Sequence, residues 1–266
     1  MNDNELQDLV LSGVVWELAD TPLVLSAATR AATVSAASDD AGNCGTTRSS
    51  GVNIGRTQTS IVPPIAPQQV ISVDTAKSMA ARPADLGALC RMISEFNHPL
   101  RAGATNVVLP HIAPDANGLV IITDIPSGDD DESGRILSGA AGELLDKMLT
   151  AIGMSRDNVS IVPLVFWRTP GGRTPTKPEL DLARPFVSRV LDLLNPRYML
   201  TLGTLAASEM ANVQLPRAHG MPVALDNGVT VMPIYHPNYL MLKPVAKRDA
   251  WNALQLLQNL LKTADK

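Results

Sequence analysis

His236 stands directly after an apolar run and directly before Pro237, so the proline ring holds the backbone beside its imidazole. In that position a histidine can donate a hydrogen bond to charge developing on a leaving group. Asp124 holds the matching place after another apolar run. A carboxylate there can act as a general base or orient a water, or it can cap the turn that Pro126 and Gly128 favour. Arg168 and Arg173 bracket a Thr-Pro-Gly-Gly turn ahead of a helix start. Guanidinium groups beside free helix N–H groups suit a phosphate, and a plain turn with exposed cations fits the same residues. After His236 come Asn238, the apolar triplet Leu240, Met241 and Leu242 with no evident helix of its own, and then Lys243, Lys247 and Arg248. An exposed apolar triplet can wedge open a base stack, with the cations beside it; alternatively it packs beneath the last helix. The acidic run from Asp129 to Glu132 reads as a solvated loop rather than a metal site.

Positioning such groups requires a frame. Four runs, over residues 118–123, 159–166, 197–202 and 229–235, are apolar without strict alternation, as strands covered on both faces should be. Helical patterns lie around and between them. Asp85 is an N-cap type ahead of Leu86, Leu89, Cys90, Ile93 and Phe96, with Pro99 as the stop. Leu144, Leu145, Met148, Leu149 and Ile152 form a stripe closed by Gly153. Thr176 and Glu179 make a capping box ahead of Phe186, Val187, Val190 and Leu194. A short helix is expected from Thr204 to about Asn212, and a last one from about Val245 to Lys262 with Trp251, Leu254, Leu257 and Leu261 inward. Strands alternating with helices predict a parallel sheet with helices on both faces, whose ligands bind beyond the carboxyl ends of the strands. The loops opening at Asp124, Trp167, Gly203 and His236 are therefore the candidate site.

Composition limits the function classes. The 266 residues suffice for one α/β domain plus an extension, and no apolar run approaches a membrane span. A formal net charge of −4 argues against a general polyanion binder, so any nucleic-acid contact must come from a local site. Two cysteines, Cys44 and Cys90, cannot form a disulfide scaffold. With an acidic N-terminus unlike a secretory signal, the expectation is a cytoplasmic protein. Residues 1–22 carry a helical stripe (Leu6, Leu9, Val10, Val14, Leu18) that offers a face to a partner protein or to the chain's own domain. Residues 23–74 are rich in Ala, Ser, Thr, Gly and Pro and read as a disordered linker; the folded domain is expected over 75–266.

These loops, in this order, resemble the family 4 and related uracil-DNA glycosylases. The resemblance runs from about Asp85 to Leu261. It is carried by Gly139-Ala-Ala-Gly-Glu-Leu-Leu-Asp-Lys-Met-Leu149, Gly172-Arg-Thr-Pro-Thr176 with Arg184-Pro-Phe186, Leu202-Gly203 with Ala206-Ala207, and the loop from His236 to Leu240 with Lys247-Arg248 and Trp251. It implies a three-layer α/β/α fold with a central four-stranded parallel sheet. It also implies excision of a flipped base from DNA through an oxocarbenium-like transition state. The carboxylate loop would handle the water and the histidine loop would stabilise the departing base.

The chain departs from the family pattern at demanding positions. The first loop, Gly-Glu-Ala-Pro-Gly in the family, is Thr123-Asp124-Ile125-Pro126-Ser127, so Asp124 keeps a carboxylate one methylene shorter. The stacking ring falls on Leu137 and the uracil-reading asparagine on Pro163. The base pocket implied is therefore Ile125, Pro126, Leu137 and Pro163. Arg168, Arg173, Asn238, Leu240, Met241, Lys247 and Arg248 are the expected DNA contacts. The four cysteines of the family's [4Fe-4S] cluster fall on Glu95, His98, Trp167 and Ala183. One carboxylate and one imidazole cannot replace four thiolates, so no cofactor is expected and Trp167 should fill the volume, with Glu95 and His98 pairing with each other or with Arg168. The expected partner is DNA, single-stranded or base-damaged. The expected activity is base excision with weak or altered action on uracil. A catalytically inactive DNA-binding protein and a small-molecule binder in the same crevice are the alternatives.

Overall fold

The computed structural model describes residues 72–264; the expected N-terminal helix over 1–22 and nearly all of the linker lie outside them. In chain order the elements are α1 (Val73–Ala80), α2 (Leu86–Glu95), β1 (Leu119–Thr123), α3 (Gly128–Ser133), α4 (Gly139–Ala151), β2 (Ser160–Pro163), α5 (Lys177–Leu194), β3 (Tyr198–Leu202), α6 (Thr204–Ala211), α7 (Leu215–Ala218), β4 (Val223–Ala224), β5 (Thr230–Ile234), α8 (Pro237–Leu242) and α9 (Ala246–Ala264). Single 3₁₀ turns cover Pro99–Gly103 and Pro170–Gly172.

The sheet runs β2-β1-β3-β5-β4. The four expected strands are all parallel, in register Ile121↔Ile161, Ile121↔Leu200 and Leu200↔Met232. The short β4 adds an antiparallel fifth strand at the edge, so the sheet is mixed and not purely parallel. Two residues offer no periodicity from which β4 could have been expected.

Alternate strand residues divide between two cores, which makes the architecture three-layered. On one face Val120, Ile122, Val162, Met199 and Val231 pack with Leu89, Ile93, Phe186, Val187 and Val190 from α2 and α5. On the other, Leu119, Ile121, Ile161, Leu200, Met232 and Ile234 pack with Leu145 and Leu149 of α4 and Leu254 and Leu257 of α9. Asp85 caps α2 through its side chain, and Glu179 accepts from the Thr176 N–H at 2.7 Å to close the start of α5.

Several boundaries move. The second strand stops at Pro163 instead of running to residue 166. The N–H and C=O of Ile161 both pair outward with His111, so the missing N–H of Pro163, two residues on, also faces away from β1. Proline thus costs the ladder nothing at this edge. The folded part begins earlier than residue 75, because Ser72 caps α1 with its hydroxyl, accepting from the Thr75 N–H. Helix α2 ends at Glu95, four residues before Pro99, where Phe96 turns to extended backbone. Its Cys90, expected on the apolar face, is only half-buried, as is Trp251 on α9.

Candidate active site

At the carboxyl end of β1 the Asp124 side chain does not cap its own turn. It crosses to the start of α6, where Oδ1 accepts from the Ala206 N–H at 2.6 Å. Helix α6 has Gly203 at its N-cap, with no side chain to satisfy the first-turn amides. Asp124 supplies that oxygen from the neighbouring strand. Gly203 sits at φ 109°, and a Cβ there would overlap the Asp124 carboxylate. Burial pushes the Asp124 carboxyl up to about 6, against the opposite pull of the Ala206 and Leu205 amides.

His236 is the N-cap of α8. Its Nδ1 accepts from the Asn238 N–H at 3.2 Å. A neutral ring must then carry its hydrogen on Nε2, which lies 3.2 Å from Thr123 Oγ1 and donates to it. Burial drives the imidazole down to about 4, against the influence of the Asp130 carboxylate, so the ring is neutral across the physiological range. Asp124 and His236, with Gly203, Leu215, Tyr235 and Tyr239, line one cavity of about 320 Å³. It opens beyond the carboxyl ends of β1, β3 and β5, where the topology predicts a ligand. A base near its operating pH and a fixed neutral donor facing one volume can activate water on one side of a bond and stabilise charge on the other.

The remaining expected site residues scatter. Ile125, Pro126, Leu137 and Pro163 are not among the residues lining the cavity. Leu137, at φ 48°, turns its side chain into the core beneath α4, and its carbonyl accepts from Arg156 Nη2 at 2.6 Å. Arg173 is committed to Glu179 in a two-pronged pair at 2.6 and 2.8 Å, which also holds the Glu179 carboxyl down to about 2. Arg168 lies against Gly128, and among the described residues its buried Nε has no hydrogen-bond partner. Asn238 acts through its backbone on His236. The triplet is not a solvent-facing wedge as a whole: Leu240 is buried, Met241 is 38% exposed and Leu242 is 82% exposed. The triplet forms the end of α8, whose turn puts Leu240 inward. Lys247 is half-buried and Arg248 exposed.

The acidic run is a capped helical turn and not a loop: Asp129 and Glu132 are exposed as expected, but Asp130 and Asp131 are buried. Asp130 accepts from the Ser127 N–H at 2.9 Å and from the Ser138 N–H at 2.6 Å, and Asp131 accepts from the Thr105 and Asn106 N–H groups. The signal that marks it is Ser127-x-x-Asp130, a capping-box spacing.

At the four positions where the resemblance implies cluster ligands, Glu95 is exposed and Ala183 buried. His98 accepts from the Leu100 N–H at one ring nitrogen and meets the Glu179 carbonyl with the other. Its ring stacks on Trp167, 4.6 Å between centroids and nearly parallel, with Phe96 and Phe166 around the fully buried indole. The four residues do not fit an iron–sulfur cluster, because they bring no thiolate. The expected pairing of Glu95 with His98 or Arg168 is replaced by this stack.

A three-layer α/β/α domain with a carboxylate and a neutral imidazole in one cleft narrows the class of protein, and comparison with known proteins makes it specific. Residues 109–255 match the family model of the uracil DNA glycosylase superfamily. The chain belongs to that superfamily. It is 32% identical over 146 residues to the type-4 uracil-DNA glycosylase of Thermotoga maritima, covering 54% of this chain and 76% of the relative. Against the type-4 enzyme of Pyrobaculum aerophilum it is 30% identical, covering 50% and 72%. Against that of Archaeoglobus fulgidus it is 29% identical, covering 54% and 77%. Among the described residues no helix is long and apolar enough to cross a membrane.

Proposed function

We propose that this chain is a divergent DNA glycosylase, hydrolysing the N-glycosidic bond of an extruded base without an iron–sulfur cluster and with weak or altered action on uracil. The observation that carries it is the shared cavity of Asp124 and His236. Above pH of about 6 the Asp124 carboxylate is ionised and can orient a water on the sugar carbon as the bond to the base breaks. The His236 Nε2–H, now on Thr123, can be redirected to the base atom that gathers negative charge. Exposed Met241 and Leu242 are the wedge, in place of Leu240, and Arg168, Lys247 and Arg248 contact phosphates.

Weak uracil action follows from Leu137 lying in the core and Pro163 lacking any amide to read a base edge. Stacking of a base on an aromatic side chain is worth about 1–3 kcal/mol. These two residues also favour the second reading, a protein that binds DNA and excises nothing. Single-stranded and duplex oligonucleotides containing uracil, hypoxanthine or a thymine mismatch, incubated with the protein and treated with alkali, separate the two. Strand cleavage lost in His236→Ala supports excision; binding without cleavage on every substrate supports the second reading.

A further inference from the structure

Tyr235 and Tyr239 line the cavity beside His236. They belong to a column. The His219 ring lies 4.3 Å from Tyr235, and Tyr235 lies 4.5 Å from Tyr239, both stacked within 26° of parallel. Tyr235 is therefore closed on both faces and presents only its edge to the cavity. His219, half-buried, stacks on the column at one end, with its ring nitrogens buried beside the Asp249 backbone. At the other end Tyr239 has one face against Tyr235, and the Lys243 ammonium lies over the ring, 5.4 Å from its centroid. With Tyr235 on one face, the ammonium takes the other. Lys243 is exposed and does not line the cavity, so that outer face is turned outside the pocket. Beneath it, buried Leu240 anchors α8.

Resting on the base-excision reading above, we infer that the outer face of Tyr239 is a second nucleobase subsite, outside the cavity, that stacks the nucleotide next to the extruded one, with Lys243 on its phosphate. A flexible ammonium over the face of a half-buried ring is a weak occupant that a base displaces, and every base has a π-face to offer. The subsite suits single-stranded DNA, in which a neighbouring base is free to leave its own stack. It reads no sequence, since a phenol face accepts any base.

Single-stranded oligonucleotides carrying one uracil and a 2-aminopurine on its 5′ or 3′ side test this, with binding read by anisotropy and stacking by quenching of the 2-aminopurine. The wild-type protein should quench the probe on one side only. Tyr239→Leu should lose that quenching and bind about tenfold more weakly, while Tyr239→Phe keeps both. Lys243→Gln should lower the slope of log affinity against log salt by about 0.7, one phosphate's share on a single strand. Tyr239→Leu that binds and quenches as the wild type does would overturn the subsite and leave base excision standing. A wild-type protein that binds none of these strands would overturn both. Quenching retained in Tyr239→Phe excludes a mere folding failure as the cause of its loss in the leucine variant.

Discussion

Asp124 is held by two opposing influences, and their balance makes it useful. Burial raises its pKa to about 6, while the α6 amides favour the ionised form. A carboxyl whose folded pKa lies above its unfolded value destabilises the fold as pH rises from about 4 through about 6. Asp124→Asn should therefore stabilise the protein at pH 7, by on the order of 2–3 kcal/mol, while abolishing base release; chemical denaturation at pH 5 and pH 7 would show roughly half that gain at the lower pH. The histidine has the reverse sign. Its folded pKa near 4 means that stability present above about 6.5 is lost as pH falls toward 4, and that no proton is shed near neutrality. The rate of excision should accordingly rise through one limb near pH 6 and stay level to pH 8; a falling limb between 6 and 8 would mean that a protonated His236 is required. Gly203 is a positioning residue in this scheme. Gly203→Ala forces a Cβ into the Asp124 carboxylate, and the pH 6 limb should shift or vanish even where the fold melts normally. Asp124 and His236 were legible because both stand directly past buried strands. Gly203's tight fit was not, since nothing local distinguishes a glycine that makes room for a distant carboxylate from one that only turns the chain.

At the scale of elements, the four parallel strands and the helices flanking them could be read from apolar runs and caps such as Asp85 and the Thr176–Glu179 pair. What could not be read was side-chain direction within short elements. Six residues of α8 decide which of Leu240, Met241 and Leu242 faces out, and a single helical turn has no visible period. The acidic turn misled for a related reason: charge suggested solvent, while Asp130 and Asp131 are consumed by amides brought from residues 105, 106 and 138. The aromatic stack around Trp167 ties α5 to the chain after α2. Trp167→Ala should cost about 3–5 kcal/mol and lower the melting temperature steeply, because the indole is wholly buried. A loss under 1 kcal/mol would show that the stack carries little of the fold's stability.

Across the whole molecule, a net charge of −4 leaves the proposed DNA affinity to local cations, for which Arg168, Lys243, Lys247 and Arg248 are the candidates. Four phosphate contacts predict a log–log salt slope of about −3 on single strands, and a much steeper value would point to a basic surface elsewhere. The overall architecture was the most legible level, since it needs only the order of elements and the handedness of their connections. The central claim is that one cavity, lined by both Asp124 and His236, breaks the bond between a base and its sugar. Its most direct test is detection of free base by mass spectrometry, after the protein is incubated in excess over oligonucleotides bearing uracil, hypoxanthine or mismatched thymine. A base released by the wild type, and by neither Asp124→Asn nor His236→Ala, is the result predicted. Release that survives in Asp124→Asn, or no free base from any of these strands, would contradict it.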